Sequence, residues 1–351
     1  MRKKILLQCS IPLLLVSLST FIFFLMVEII GHTYFLGWKS LSPKLLNSIP
    51  YIGTINVLQS SQTPGLRGEL QPNLDTYYLM VPLKTNSQGL RDKEYAIEKP
   101  PNTLRIAVIG DSFTFPDGVR IEDAYHSLLE KWFNEKSENL QYEFINFGVG
   151  GYDLPDYIAT LQGKALAYHP DLILLGFCPR NDFLPRPLFP SKEQKETQPA
   201  LKARASYSMH LYDNLHAKLL EQEPPPREGA HLWSIQQAWQ PTDEQVKEYA
   251  DFMQNALQTF GNAAKKKSIP VVLVNLDYSP ISQILQTFLS ETAKKNDMVF
   301  FDVSQYFTKG QDYTYMNYRS DPHPNARAHR LFAKYLYDFF LEKNLLPTSP
   351  L

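Results

Sequence analysis

Four short stretches hold residues whose types could do chemistry together. "GDSFTF" places Ser112 three residues past the end of an apolar run at Ile109. "INFGVGGY" brings Gly148, Gly150 and Gly151. "GFCPRND" ends in Asn181 and Asp182, and "DPHPNA" holds Asp321 and His323. A hydroxyl nucleophile, an imidazole base, a carboxylate to orient the base and N–H or amide donors aimed at a developing oxyanion are what acyl transfer needs. Taken alone, Ser112 is an ordinary loop serine and Asn181 an ordinary turn residue. The chemistry requires that the chain bring the four stretches to one place.

The elements around them predict such a place. Leu104–Ile109, 142–147, 172–177, 270–275 and 298–303 are short apolar runs that read as strands. Helical periodicity fills the intervals, over roughly 123–135, 154–167, 242–260 and 281–294, and again after Asn325, which has the chemistry of an N-cap. Thr242 with Gln245 makes a capping-box pattern. Apolar strands alternating with amphipathic helices imply an α/β fold: a three-layer α/β/α sandwich around a central, mostly parallel sheet. In a parallel sheet the carboxyl ends of the strands share one edge, where ligands bind. Ser112, the glycines and Asn181 each follow a strand, and Asp321 and His323 precede the last helix.

In order and spacing these blocks resemble the SGNH, or GDSL-type, hydrolase family, and more closely its membrane-anchored bacterial branch. The resemblance covers roughly residues 86–342 and rests on "GDSFTF", "INFGVGGY", "PDLILLGF" with "ND", and "DPHPNARAHRLFA". It implies Ser112 as nucleophile, His323 as general base and Asp321 as the acid that orients it. It also implies an oxyanion hole made by the N–H groups of Ser112 and Gly151 and the side-chain amide of Asn181. Gly151 is preferred over Gly148 and Gly150 because it is the fifth residue after Asn146. Two departures from the family pattern stand out. Only Pro322 separates Asp321 from His323, and Ser320 occupies the position three before the histidine. Pro116 replaces a frequent glycine. Residues before proline favour extended backbone, so Asp321 and His323, two apart, are expected to face the same way. Asp111 is expected to hold the nucleophile loop through backbone N–H groups. The other histidines, His329 among them, read as surface or packing residues, and Cys178 as a small buried hydrophobe.

The chain outside these blocks divides into three parts. Arg2, Lys3 and Lys4 precede an uncharged stretch from Ile5 to Val27, 23 residues. As a helix it would extend roughly 34 Å, enough for a hydrocarbon core of about 30 Å. Residues 1–30 are therefore expected to be a cytoplasmic tip and an uncleaved transmembrane anchor. The positive N-terminal flank places the catalytic domain on the extracytoplasmic side of the cytoplasmic membrane. Residues 31–100, repeatedly broken by proline, read as a neck. The catalytic domain spans 101–345, with a proline-rich insert at about 183–241 of the kind that forms lids or surface excursions. In the 351 residues the net charge is −1 and the two cysteines, Cys9 and Cys178, are far apart. This balance does not suggest a nucleic-acid partner, and no Cys/His spacing suggests a metal. No cofactor is expected. The partners expected are the membrane and an ester-bearing glycan or lipid substrate.

Three functions fit these residues. The first is an esterase that cleaves acyl or acetyl groups from envelope glycans or lipids through an acyl-enzyme. The second is an O-acyltransferase that delivers the acyl group to a sugar hydroxyl instead of water. The third, a non-catalytic envelope scaffold, sits poorly with a complete set of Ser112, Asn181 and His323.

Overall fold

The computed structural model describes residues 2–36, 57–79, 81–182, 241–307, 314–318 and 321–346. The expected insert at 183–241 lies almost wholly outside them. Two compact units divide the chain, one holding residues 1–53 and 76–82 with part of the insert, the other holding the rest.

In the first unit, helix α1 (Arg2–Leu36) carries Pro12. Most of its described side chains between Leu14 and Ile30 are apolar and exposed, with Phe21, Val16 and Ile30 each more than three-fifths open; Ser17, Ser19, Thr20 and Glu28 are the polar residues among them. Ser19 and Thr20 turn their hydroxyls back onto the Val16 carbonyl, at 2.9 and 2.8 Å. Among the described residues no helix is long and apolar enough to cross a membrane.

The second unit is built on a five-stranded sheet. Strands β1 (Leu58–Gln59) and β2 (Glu69–Leu70) pair with each other before it; β3 (Asp75–Tyr78) and β4 (Val81–Lys84) form another small pair, most of whose residues belong to the first unit. The central strands are β5 (Thr103–Ile109), β6 (Gln141–Asn146), β7 (Leu172–Phe177), β8 (Val271–Asn275) and β9 (Met298–Asp302). Their order is β6-β5-β7-β8-β9 and every pair is parallel. Alternate residues face opposite sides. Ile106, Val108, Leu172, Leu174, Val272 and Val274 pack with α2 (Tyr125–Lys136) and the last helix, α8 (Ala326–Glu342). Ala107, Ile109, Ile173, Leu175 and Leu273 point the other way and are also buried. The helices α3 (Leu154–Gly163), α6 (Ala250–Lys265) and α7 (Gln283–Lys295) pack against one another in sequence. Strands buried on both faces explain why each reads as a continuous apolar run rather than an alternating one.

The outer edge of β6 is covered by side chains. The N–H groups of Tyr142, Phe144 and Asn146 donate to Asn134 Oδ1 (2.8 Å), Glu130 Oε2 (2.9 Å) and Asp92 Oδ2 (2.9 Å). Edge donors satisfied in this way cannot template pairing with another chain. Burial raises the Asp92 carboxyl to about 7, with neighbouring Glu130 adding to the rise and the Asn146 and Lys93 N–H groups opposing it.

The expected elements recur with local differences. The capping box at Thr242 and Gln245 forms, but α5 (Asp243–Glu248) breaks from α6 at Tyr249, where the backbone leaves helical geometry. The helix from Leu154 ends at Gly163, because Lys164 adopts φ −130°. The stretch expected as a neck supplies buried residues to the second unit, including Leu66, Leu70, Leu90 and Arg91.

Candidate active site

Strand β5 delivers Ser112 to the carboxyl edge of the sheet. Past Ile109 the chain turns at once: Phe113 N–H bonds Asp111 Oδ1 at 2.9 Å, and the N–H groups of Thr114 and Phe115 bond the Asp111 carbonyl at 3.1 and 2.8 Å. Asp111 therefore holds the nucleophile loop as expected. The loop is packed through Thr114, which is fully buried and shares a 3.1 Å hydrogen bond with the Tyr125 hydroxyl. Three glycines make room for it. A Cβ at Gly110 or Gly176 would run into Thr114 Oγ1, and one at Gly148 would meet the Thr114 side chain and the Phe115 nitrogen at 2.7–2.8 Å.

Arg91, only 1% exposed, braces the same loop from the far side. Its Nη1 donates to the carbonyls of Phe115 (2.9 Å) and Pro116 (2.8 Å), and its Nη2 to that of Val119 (2.7 Å). The guanidinium lies over the Phe115 ring, 4.8 Å from its centroid. "NSQGLRD" reads in the sequence as a turn leading into the domain. It does turn, with Gly89 N–H on the Asn86 carbonyl at 3.0 Å, and its Arg91 also clamps the Ser112 loop, of which a lone arginine in a turn carries no signal.

His323 arrives on a hairpin. The sequence predicts an extended loop at "DPHP". The backbone there is extended but also paired: β11 (Asp321–Pro324) lies antiparallel to β10 (Met316–Tyr318), with Met316 opposite Pro324 and Tyr318 opposite Asp321. Asn325 fixes this hairpin to α8. Its Oδ1 caps the helix by accepting from Arg327 and Ala328 N–H (3.0 and 3.1 Å), and its Nδ2 donates to the Thr314 and Met316 carbonyls (3.1 and 2.9 Å). One side chain thus ends the hairpin and starts the helix.

The structure brings Ser112 and His323 together across 211 residues of sequence, with Ser112 Oγ 2.9 Å from His323 Nε2. Ser112 is 9% exposed, so its hydroxyl is sheltered yet reachable. The Phe113 ring meets the imidazole edge-on at 5.9 Å and stacks on Tyr278, forming one apolar wall. Asp117 completes the set. Its Oδ2 is 3.4 Å from His323 Nε2, and its side chain is nearly buried. Asp117 was not among the residues expected from the sequence; an acid five residues past the nucleophile is invisible until the loop turns back.

The other expected residues fall as follows. Gly151 lies on the loop after β6 at φ +84°, a conformation that favours glycine, with open space where a Cβ would be. Backbone conformation rather than crowding therefore calls for glycine here. Gly150 is the nearer to Ser112, since its Cβ would sit 3.9 Å from Ser112 Cβ. The Gly151 carbonyl is held by Arg67 Nη2 at 3.0 Å, and Arg67 also pairs with Asp156 and Asp153, whose carboxylates form the capping box of α3. Asn181 sits on the short turn α4 (Pro179–Asp182) after β7, and Asp321 on β11; the side chains of both lie outside the described residues. Asp182, next to Asn181, is buried, accepting from Cys178 N–H and the Tyr157 hydroxyl at 2.8 Å each. Burial, then the charge of Asp111, pushes its carboxyl well above the ordinary range. This anchor fixes the turn that carries Asn181. Cys178 is buried, as expected.

Two histidines lie behind the loop. His126 and His329 are fully buried, and His329 stacks on Tyr125. Burial depresses both imidazoles to about 3, so they are neutral over the working range.

No family model matches the chain, and no curated protein does. Among solved structures, the chain is similar to a protein from Desulfitobacterium hafniense described as lipolytic and of the G-D-S-L family (13% identity, 67% of this chain and 98% of that one, TM-score 0.39). It is similar also to a two-domain esterase active on acetylated mannans (15% identity, 71% of this chain, TM-score 0.43), of which it spans about half, 51%. A third is an acetylxylan esterase from Geobacillus stearothermophilus (13% identity, 71% and 97%, TM-score 0.40). At such identities and scores these likenesses carry no functional weight. The chain is similar to GDSL-type esterases, and what it holds in its own right at its sheet edge is a serine hydroxyl on an imidazole nitrogen.

Proposed function

We propose that this chain is a serine ester hydrolase of the SGNH type, anchored to a membrane and acting on acyl or acetyl esters of envelope glycans or lipids. The observation that carries the reading is the 2.9 Å contact between Ser112 Oγ and His323 Nε2 at the carboxyl edge of a parallel sheet. Neutral His323 takes the Ser112 proton as Oγ attacks the ester carbonyl carbon. The imidazolium then protonates the departing alkoxide, leaving an acyl-enzyme. Water, activated by the same imidazole, hydrolyses it. Asp321 is assigned as the orienting acid. The N–H groups of Ser112 and Gly151 and the amide of Asn181 are assigned to the oxyanion.

An anchor is supported by the exposed apolar side chains of α1 between Leu14 and Ile30 and by the hydroxyls of Ser19 and Thr20, which are both bonded to the Val16 carbonyl. The basic N-terminal flank puts the catalytic unit outside the cytoplasm. The transferase alternative uses the same residues and differs only in the acceptor.

The deciding experiment is turnover of p-nitrophenyl acetate by the purified full chain in detergent, with and without sugar acceptors, beside a fluorophosphonate probe. Hydrolysis together with labelling at Ser112 is expected. Faster acyl release with acylated sugar as product would establish the transferase instead. Active enzyme that resists the probe would overturn the serine mechanism.

A further inference from the structure

We infer that Asp117 is a second carboxylate serving the base: it faces His323 Nε2, the nitrogen that takes the serine proton, and stabilises the imidazolium formed when Ser112 attacks. This rests on the reading of Ser112 and His323 as the catalytic pair. An orienting acid binds the other imidazole nitrogen, on the side away from the nucleophile. Asp117 lies instead on the nucleophile's own side, on the same loop as Ser112.

Its position is set by backbone bonds that do not involve the carboxylate. Asp117 N–H donates to the Ser112 carbonyl at 2.9 Å, and the Asp117 carbonyl accepts from Asn317 Nδ2 at 2.8 Å. Gly118, at φ +69°, has no Cβ to collide with the Asn317 amide, so the hairpin that carries His323 can close onto the loop. At Gly150 a Cβ would lie 3.5 and 3.8 Å from the two carboxylate oxygens. The carboxylate is thus held between the Gly150 loop and the imidazole, 3.4 Å from Nε2, and its side chain is only 6% exposed.

The electrostatic consequence follows from which nitrogen is faced. When Nε2 is bare, its lone pair points towards the Ser112 hydroxyl with an anion alongside, an arrangement the anion opposes. When Nε2 carries the proton, the N–H can be shared between Ser112 Oγ and Asp117 Oδ2. An opposite charge within about 4–6 Å typically raises the affinity for the proton by 1–3 pH units. Among the groups around the imidazole, Phe113 offers a ring edge and His329 of α8 is neutral. Asp321, on His323's own strand, is assigned to the other ring nitrogen, where it too steadies the imidazolium, so the measured quantity is what Asp117 adds to it. During reaction the Oγ proton moves to Nε2 as the Oγ–carbon bond forms. It leaves with the alkoxide when the ester C–O bond breaks, so Asp117 gains no proton over the cycle. The arrangement makes the base harder to deprotonate at rest and steadier once protonated.

Asp117→Asn removes the charge while keeping both backbone bonds. The test uses the full chain in detergent and two readouts. One is the NMR titration of the His323 imidazole, assigned by its disappearance in His323→Gln. The other is the pH profile of kcat/KM on p-nitrophenyl acetate. In Asp117→Asn both midpoints are expected to move acid-ward by about one unit or more, with a lower plateau kcat. A purely structural role would lower the plateau and leave the midpoints where they were. Unmoved or alkaline-shifted midpoints overturn the proposal. If the chain cleaves no ester, the esterase reading falls, but the NMR titration still decides Asp117. Should Asp117→Asn fail to fold, Asp117→Ser takes its place, and the wild-type midpoint provides a further check. A wild-type His323 midpoint at or below the ordinary value of about 6.5 overturns the proposal.

Discussion

At the scale of single residues, the site is a short list of groups with separable roles. Ser112→Ala is expected to abolish ester turnover and leave thermal unfolding nearly unchanged, because the hydroxyl contributes little packing; activity and melting curves check both halves. Asn181→Ala is expected to lower kcat by about 10²–10³ if its amide serves the oxyanion. Unchanged kcat would return Asn181 to a turn role on α4. Asp321→Asn is expected to lower turnover by up to about 10⁴ through the wrong imidazole tautomer, whereas Ser320→Ala stays near wild type. The reverse pattern would reassign the orienting acid to the Ser320 position.

At the scale of elements, the site depends on two struts that touch no substrate. Asn325 caps α8 and ties the His323 hairpin, so Asn325→Ala loses both functions. A cap of this kind is worth about 1–2 kcal/mol. Turnover should fall along with stability, since the imidazole is no longer held 2.9 Å from Ser112 Oγ. Urea unfolding and kcat measured on the same preparation test this; a stability loss with intact kcat would mean that the hairpin holds itself. Arg91 is the second strut. Arg91→Lys keeps the charge but cannot present a planar fork to three carbonyls. The expected loss is roughly 2–4 kcal/mol, from charged hydrogen bonds to Phe115, Pro116 and Val119 given up in a buried place. Unfolding midpoints close to wild type would refute that role.

At the scale of the whole molecule, pH acts through groups behind the site. His126 and His329 have their proton affinity depressed from about 6.5 to about 3 by burial. Between these values the unfolded chain binds protons that the folded chain does not, so folding stability falls as pH drops through that window. Removing one such group removes its share. His329→Gln is therefore expected to lose less stability than wild type between pH 6.5 and 5, by roughly 2 kcal/mol at about 1.4 kcal/mol per unit. Parallel stability–pH curves for the two proteins would contradict this. Topology is tested at the same scale. A reporter joined after residue 40 should be active only outside the cytoplasm, and a reporter active only inside would reverse the proposed orientation.

The sequence by itself determined the layers, the parallel sheet and its carboxyl edge, because strands buried on both faces must be apolar throughout and helices packed on one side must be amphipathic. It also singled out Ser112 and His323, which the fold brings to 2.9 Å, because a hydroxyl and an imidazole at element boundaries leave a chemical mark in the text. The N-cap of Asn325 and the capping box before α5 were legible for the same local reason: a cap is satisfied within three residues. What only the tertiary structure decided are contacts between residues distant in sequence or aimed by a turn. Arg91 reaching the nucleophile loop, Thr114 seated among Gly110, Gly148 and Gly176, the pairing of β10 with β11, and Asp117 folding back onto His323 are all of this kind. No periodicity encodes them. Each arises when a loop closes and a side chain finds the carbonyl, the cavity or the charge that happens to lie opposite.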